Sequence, residues 1–144
     1  METATMGKVI VSATIENVND LYNVRTGKLA ADQLRRVEVT DAMVDTGATT
    51  LSLPKRLIAQ LGLFPLRPRA ARTAAGLATL QVYGTARVVV QGRECTCDVI
   101  ELPDEWPPLI GQVPLELLDL VIDPQRPRLI GNPEHGGEQM VDVF

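Results

Sequence analysis

The stretch Val44-Asp45-Thr46-Gly47-Ala48-Thr49-Thr50 concentrates the chemistry of this chain. An apolar, strand-like approach carries a carboxylate towards the interior, where burial disfavours its ionised form. Gly47 permits a sharp turn that brings backbone N–H groups to that carboxylate, and the Thr46 hydroxyl offers a fixed hydrogen bond. An acid held in this way suits proton transfer to and from a reacting group.

Other groups capable of chemistry are set less well. His135 is the one histidine and lies in Gly131-Asn132-Pro133-Glu134-His135-Gly136-Gly137. No rigid element places it beside Ser12, Ser52, Cys95 or Cys97, so it reads as a solvated tail residue and not as half of a nucleophilic pair. Cys95 and Cys97 stand two apart on an extended segment and share a face. A structural zinc needs four ligands and no second Cys/His pair exists, so the thiols read as packing residues, with no metal. Two cysteines so spaced are also poorly placed to bridge each other, which suggests reduced thiols in a reducing compartment. Arg67, Arg69 and Arg72 form one basic cluster. They read as a solvated loop, or as partners for acidic groups of a substrate or a second subunit.

These residues must be positioned by a mostly β chain. Residues 9–15 have strand composition, and residues 36–44 alternate, with Val37, Val39 and Asp41 assigned to one side before the apolar Ala42-Met43-Val44. Residues 18–34 are polar, with turn chemistry at Asn19-Asp20 and Thr26-Gly27, and read as a hairpin or long surface connection. A short strand at Leu51-Ser52-Leu53 precedes a helix opened by Pro54, with Leu57, Ile58 and Leu61 on one face and Gly62 as its stop. Residues 63–72 hold two prolines and are expected to be irregular. Strands follow at 79–83, 86–90 and 94–102, with turns at Gly84 and Gln91-Gly92. A Pro-rich loop around Trp106 at 103–108, where the indole caps the core or edges a cleft, leads to a short helix at 113–120. Extended segments follow at 121–123 and 128–130, and residues 139–144 offer one more strand.

With 144 residues, 45% of them hydrophobic, the chain amounts to one domain that needs neither disulfide nor metal to hold its core. The single domain is taken as 1–144, with a core of about 9–132 and a C-terminal extension at 133–144. Net charge is -4 and the only aromatics are one Trp, two Tyr and two Phe, which argues against nucleic acid as a partner. The start, Met1-Glu2-Thr3-Ala4-Thr5-Met6, lacks a basic segment followed by an apolar one, and no apolar run reaches about 18 residues. A cytoplasmic protein without membrane association is the expectation.

Asp45-Thr46-Gly47-Ala48, preceded by hydrophobic residues, resembles the active-site loop of retropepsin-like (retroviral-type) aspartic proteases. Leu109-Ile110-Gly111 resembles the element that this family places before its C-terminal helix, and residues 72–84 resemble its flap, with Ala74-Ala75-Gly76 as the tip followed by Leu77. The likeness spans roughly 9–132 and is nearest to small bacterial single-domain members. It implies a closed β-barrel of the acid protease type with one or two short helices, one lobe per chain. Catalysis would fall to Asp45, support of the loop to Thr46, Gly47 and Ala48, and substrate contact to Ala74, Ala75, Gly76, Leu77, Leu109 and Ile110. Three departures are visible: the tip lacks the Gly-Gly of viral members, Gln112 stands where Arg or Asp commonly follows the glycine, and residues 18–34 are longer than the minimal viral connection.

Aspartic protease chemistry needs two carboxylates sharing one proton, and the chain has a single Asp-Thr-Gly. The expected active form is therefore a homodimer that joins one Asp45 from each subunit. By the resemblance, Thr46 would hydrogen-bond across the interface, and Met140, Val141, Val143 and Phe144 would contribute to terminal strands there. The expected activity is hydrolysis of peptide bonds in a peptide or protein, without cofactor. The alternative is a non-catalytic retropepsin-like dimer that binds peptides or holds partners together.

Overall fold

The computed structural model describes residues 8–143; residues 1–7 and Phe144 lie outside the described residues, and with them the expectations placed on the start of the chain and on Phe144. Strands β1 (Val9–Asn17) and β2 (Arg36–Val44) pair antiparallel, Val9 opposite Val44 and Ile15 opposite Val37. Their register slips between Val11 and Ala13, where β2 carries an extra residue. Side chains change face at such a bulge. Val37 and Val39 are buried before it and Ala42 and Val44 after it, while Asp41 is exposed and not aligned with the valines as its spacing suggested.

The segment between these strands is not a hairpin. Helix α1 (Val18–Arg25) fills its first part, and a 3-10 turn spans Ala31–Gln33. The Asn17 side chain caps α1 by accepting from Asp20 N at 2.9 Å. Asp20 is the helix's buried residue, and its carboxylate accepts from Arg35 N, Nε and Nη2 at 3.0, 2.8 and 3.0 Å. Those bonds hold its pKa below the ordinary carboxylate range. A helix whose buried anchor is an aspartate leaves no apolar periodicity to read.

Strand β3 (Leu51–Pro54) leads into α2 (Lys55–Leu61), which buries Leu57, Ile58 and Leu61 and stops at Gly62 in the left-handed region. Residues 64–73 are strand rather than irregular chain: β4 (Phe64–Thr73) pairs with β5 (Gly76–Val90). An outermost strand pairs along one side only, which is where Pro65 and Pro68 are tolerated, and a bulge between Pro65 and Arg67 absorbs the misfit. Gly84 is likewise a bulge inside β5, where register with the next strand shifts between Tyr83 and Ala86. The Gln91-Gly92 turn, with φ of 52° and 80°, returns the chain as β6 (Arg93–Leu102).

Strand β7 (Leu109–Ile110) inserts between β2 and β3, parallel to the first and antiparallel to the second. Helix α3 (Gln112–Leu118) and a small pair, β8 (Leu120–Ile122) with β9 (Leu129–Gly131), follow. Among the described residues, 139–143 carry no strand. The main sheet runs β1-β2-β7-β3-β6-β5-β4, and β1 also pairs with β5, Ile15 opposite Val88. Six strands thus close into a hydrogen-bonded ring with β4 outside it. Ile15, Leu51, Leu53, Leu61, Ile110 and Leu118 are fully buried within it or against it. No helix among the described residues is long and apolar enough to cross a membrane.

Candidate active site

Strand β2 ends at Val44, so Asp45 stands where the strand opens into a loop, and the chain around it is tied to β7 and the start of α3. Met43 N donates to Pro108 O at 2.8 Å and Asp45 N to Ile110 O at 3.0 Å. In return, Gly111 N donates to Thr50 O at 3.1 Å, and Gln112 N and Val113 N donate to Ala48 O and Thr49 O at 2.8 Å each. The two motifs far apart in sequence are therefore one structural unit. Gly111 makes it possible: a Cβ there would stand 2.6 Å from Ala48 O.

Within the loop, Gly47 N donates to Asp45 Oδ1 at 2.9 Å and Ala48 N to Asp45 O at 3.0 Å. Asp45 and Ala48 are half-buried, whereas Thr46 and Gly47 are exposed. The carboxylate is thus at the rim of the single chain rather than deep within it, because the strand that carries it ends there. Leu109 and Ile110 part company. Ile110, at 1% exposure, belongs to the main core cluster, while Leu109 is buried outside that cluster on the opposite face of the sheet.

Residues 74 and 75 form the turn of the β4–β5 hairpin, between paired Thr73 and Gly76. Thr73 Oγ1 donates to Gly76 O at 2.8 Å, and Gly76 has φ 114°, open to glycine. Leu77 is 84% exposed beside it. At the hairpin's base Arg67 faces Asp98 at 3.6 Å, and Thr50 Oγ1 donates to Asp98 O at 2.8 Å. Arg67, Arg69 and Arg72 all lie on β4. Trp106 is half-exposed in its loop.

His135 is not a solvated tail residue. It ends a 3-10 turn (Pro133–His135) capped by Asn132, with Nδ1 2.6 Å from Asp119 Oδ2 and Nε2 3.1 Å from Asp142 Oδ2. Asp119, buried at the C-terminus of α3, also accepts from Asn132 Nδ2 at 3.1 Å and Met140 N at 3.0 Å. The hydrogen bond from His135 leads the causes that hold Asp119 down to about 2, and Asp119 in turn raises the imidazole, helped by Asp142. Arg93 adds bonds to the carbonyls of Leu118, Asp119 and Gly137. The sequence signal for this clasp is Asn132-Pro133-Glu134, a helix-start pattern inside a glycine-rich stretch. A cavity of about 360 Å3 lies between Thr46, Gln112, Leu115, Ile122, Met140 and Val141, joining the loop of Asp45 to the clasped C-terminal segment.

Cys95 and Cys97 are both free, with Cys97 buried in the core. The neighbouring Cys97 and burial push the Cys95 thiol up, which keeps it un-ionised. Among the described residues no cluster of His, Cys, Asp and Glu is arranged to hold a metal ion.

Comparison with known sequences and structures bears on this arrangement. Residues 21–116, about two thirds of the chain, match the family model described as gag-polyprotein putative aspartyl protease. The match contains Asp45, the hairpin and Leu109-Ile110-Gly111, and ends within α3. No curated protein matches the chain. Among solved structures, the solution structure of the simian foamy virus (mac) protease aligns at 20% identity with a TM-score of 0.47, covering 76% of this chain and 93% of that one.

Proposed function

The chain belongs to the gag-polyprotein aspartyl protease family, and from that premise we propose that it is an aspartic endopeptidase whose reaction centre joins Asp45 from each of two identical subunits. The observation that carries this reading is the unit formed by the Asp45 loop and Leu109-Ile110-Gly111. It holds a half-buried carboxylate on a segment, residues 43–50, that makes five backbone hydrogen bonds with residues 108–113. Among the described residues its one hydrogen-bond donor is Gly47 N. A single carboxylate so placed lacks the second acid that the chemistry requires; an isologous contact supplies it.

Two carboxylates brought side by side cannot both ionise, so the pair holds one proton. The ionised member takes a proton from a bound water as that water attacks the scissile carbonyl carbon. The protonated member donates to the carbonyl oxygen, and collapse of the tetrahedral adduct returns a proton to the leaving nitrogen. Gly47 N fixes the carboxylate's rotation. Exposed Thr46 is the residue that would meet its copy and hold the two loops in register. Leu109, on the face away from the core, forms floor beneath the β4–β5 hairpin, whose turn at Ala74, Ala75 and Gly76 closes over an extended peptide, with Leu77 beside it on the outer side. Ile110 supports that floor from the core side.

The test is to incubate the purified chain and Asp45→Asn with a denatured-protein mixture between pH 4 and 7 and count new peptide termini by mass spectrometry. Asn keeps the side chain's shape but cannot share the proton, so new termini should vanish in the variant. Termini at equal yield in both would refute the assignment, and retention of peptides by the wild type without cleavage would favour the binding module.

A further inference from the structure

We propose that this chain selects peptides carrying acidic side chains, through the guanidinium groups of Arg67 and Arg69 on the inner face of the β4–β5 hairpin. The proposal rests on the peptidase reading and adds its substrate class. The register of the sheet carries it. Residues opposite one another on neighbouring strands point to the same face. Met43 is opposite Leu109, Leu109 opposite Ser52, Ser52 opposite Ile100, Ile100 opposite Val82, and Val82 opposite Arg67. One unbroken row therefore leads from the strand residue two before Asp45 to Arg67.

This is the face turned away from the core. The residues next to that row in the same strands, Val44, Ile110, Leu51 and Val99, belong to the main core cluster, whereas Leu109 and Val82 are buried outside it. The hairpin has two unlike sides. Arg69 is paired with Leu80 and Ala71 with Ala78, and Leu80 and Ala71 are partly covered as Val82 is fully covered. Arg72 is paired with Leu77 and Ala70 with Thr79, and all four are exposed. Arg67 and Arg69 thus share the side that continues into the floor, while Arg72 looks outward.

A chain of net charge -4 repels acidic peptides in general, so two guanidinium groups in one groove create a local exception. Arg67 is shared with Asp98 at 3.6 Å, and among the described residues no carboxylate lies within 4.0 Å of Arg69. A planar guanidinium with its fork of donors matches a carboxylate, and a peptide laid across the groove shields the contact from water. Five strand-to-strand steps of about 4.8 Å separate Met43 from Arg67, and an extended peptide advances about 3.3 Å per residue. The selected acid should fall within about seven residues of the scissile bond.

The experiment uses a proteome-derived peptide library with the full chain, the Arg67→Gln/Arg69→Gln double variant and Arg72→Gln. Cleaved termini are sequenced by mass spectrometry. In parallel, immobilised Asp45→Asn, with and without the same arginine substitutions, captures peptides from the library for identification. The expected result is about five-fold enrichment of Asp and Glu at one or two positions within that window, lost in the double variant and retained in Arg72→Gln, which removes charge from the outer side. Enrichment that survives the double variant, or is absent from both cleaved and captured peptides, overturns the proposal. So does a double variant that changes the oligomeric state while leaving acidic enrichment intact. Acidic enrichment in the captured pool with no cleavage anywhere supports this proposal and refutes the peptidase.

Discussion

Replacing Gly111 by alanine probes the joint on which the proposed reaction centre depends. A Cβ at that position stands 2.6 Å from Ala48 O, 2.8 Å from Ala48 C and closer still to Thr50 O, so the loop must recede by about 1 Å to reach an ordinary contact of about 3.4 Å. The nearest atoms are backbone, and no flexible side chain can swing away to relieve them. The same displacement stretches the bonds from Gln112 N to Ala48 O and from Val113 N to Thr49 O, both 2.8 Å. Overpacking of this kind costs about 1–3 kcal/mol, which for a chain of this size lowers Tm by roughly 3–10 °C. The chemical consequence is larger, because the moving loop carries Asp45, and a misplacement near 1 Å costs on the order of 100-fold in rate. Differential scanning fluorimetry and kcat/KM on a cleaved peptide measure the two effects. A variant that melts with the wild type and keeps its turnover would refute the claim that close approach of these two segments sets the carboxylate.

Three further outcomes follow from single contacts. Asp20→Ala removes the acceptor for three Arg35 donors and leaves Asn17 capping a weakened α1, so urea unfolding should show a loss of about 2 kcal/mol, while Arg35, half-exposed, can turn to water. His135 has its pKa raised above 6.5 by Asp119 and Asp142, so its charged contact is present at pH below that value and is lost as pH rises through the raised one. Asp119, held down to about 2, stays ionised across that range, and its contribution fails only as pH falls towards that value. Amide exchange across residues 133–142, corrected for intrinsic rate, should therefore quicken between pH 5.5 and 8.5 in the wild type and show no such change in His135→Ala. Ala48→Ser places a hydroxyl in the Asp45 loop that can donate to the ionised carboxylate, which moves the acid limb of the pH–rate profile to lower pH; an unmoved or raised limb counts against it.

Local chemistry written into consecutive residues was readable from the sequence. The α2 helix, with Leu57, Ile58 and Leu61 at helical spacing and Gly62 as its stop, needs nothing beyond its own segment. The same holds for the Gln91-Gly92 turn and for β1, whose composition decides its state. The order of Asp45-Thr46-Gly47, hairpin, Leu109-Ile110-Gly111 and helix was legible because each piece is short and distinctive. What joins them was not: the bonds from Gly111 to Thr50 and from Gln112 to Ala48 span more than sixty residues.

Misreadings arose where a distant partner reversed a local preference. Pro65 and Pro68 argue for irregular chain only if both edges of the segment must pair; β4 pairs on one side, and the argument lapses. Gly84 signals a break, yet it sits in a bulge within a continuous strand, with the Leu66 side chain of β4 packed where a Cβ would stand. His135 is flanked by glycines that promise mobility, but Gly136 adopts φ 66° to close the turn that presents the imidazole to Asp119. In the two glycine cases, a residue type that usually frees the chain lies where the chain packs closely against a distant segment. The same logic applies to Asp45. Its half-buried carboxylate has Gly47 N as its one donor among the described residues; under the proposed reading the acid that would complete it comes from another copy, and such a contact leaves no mark in the sequence except the motif that occurs once.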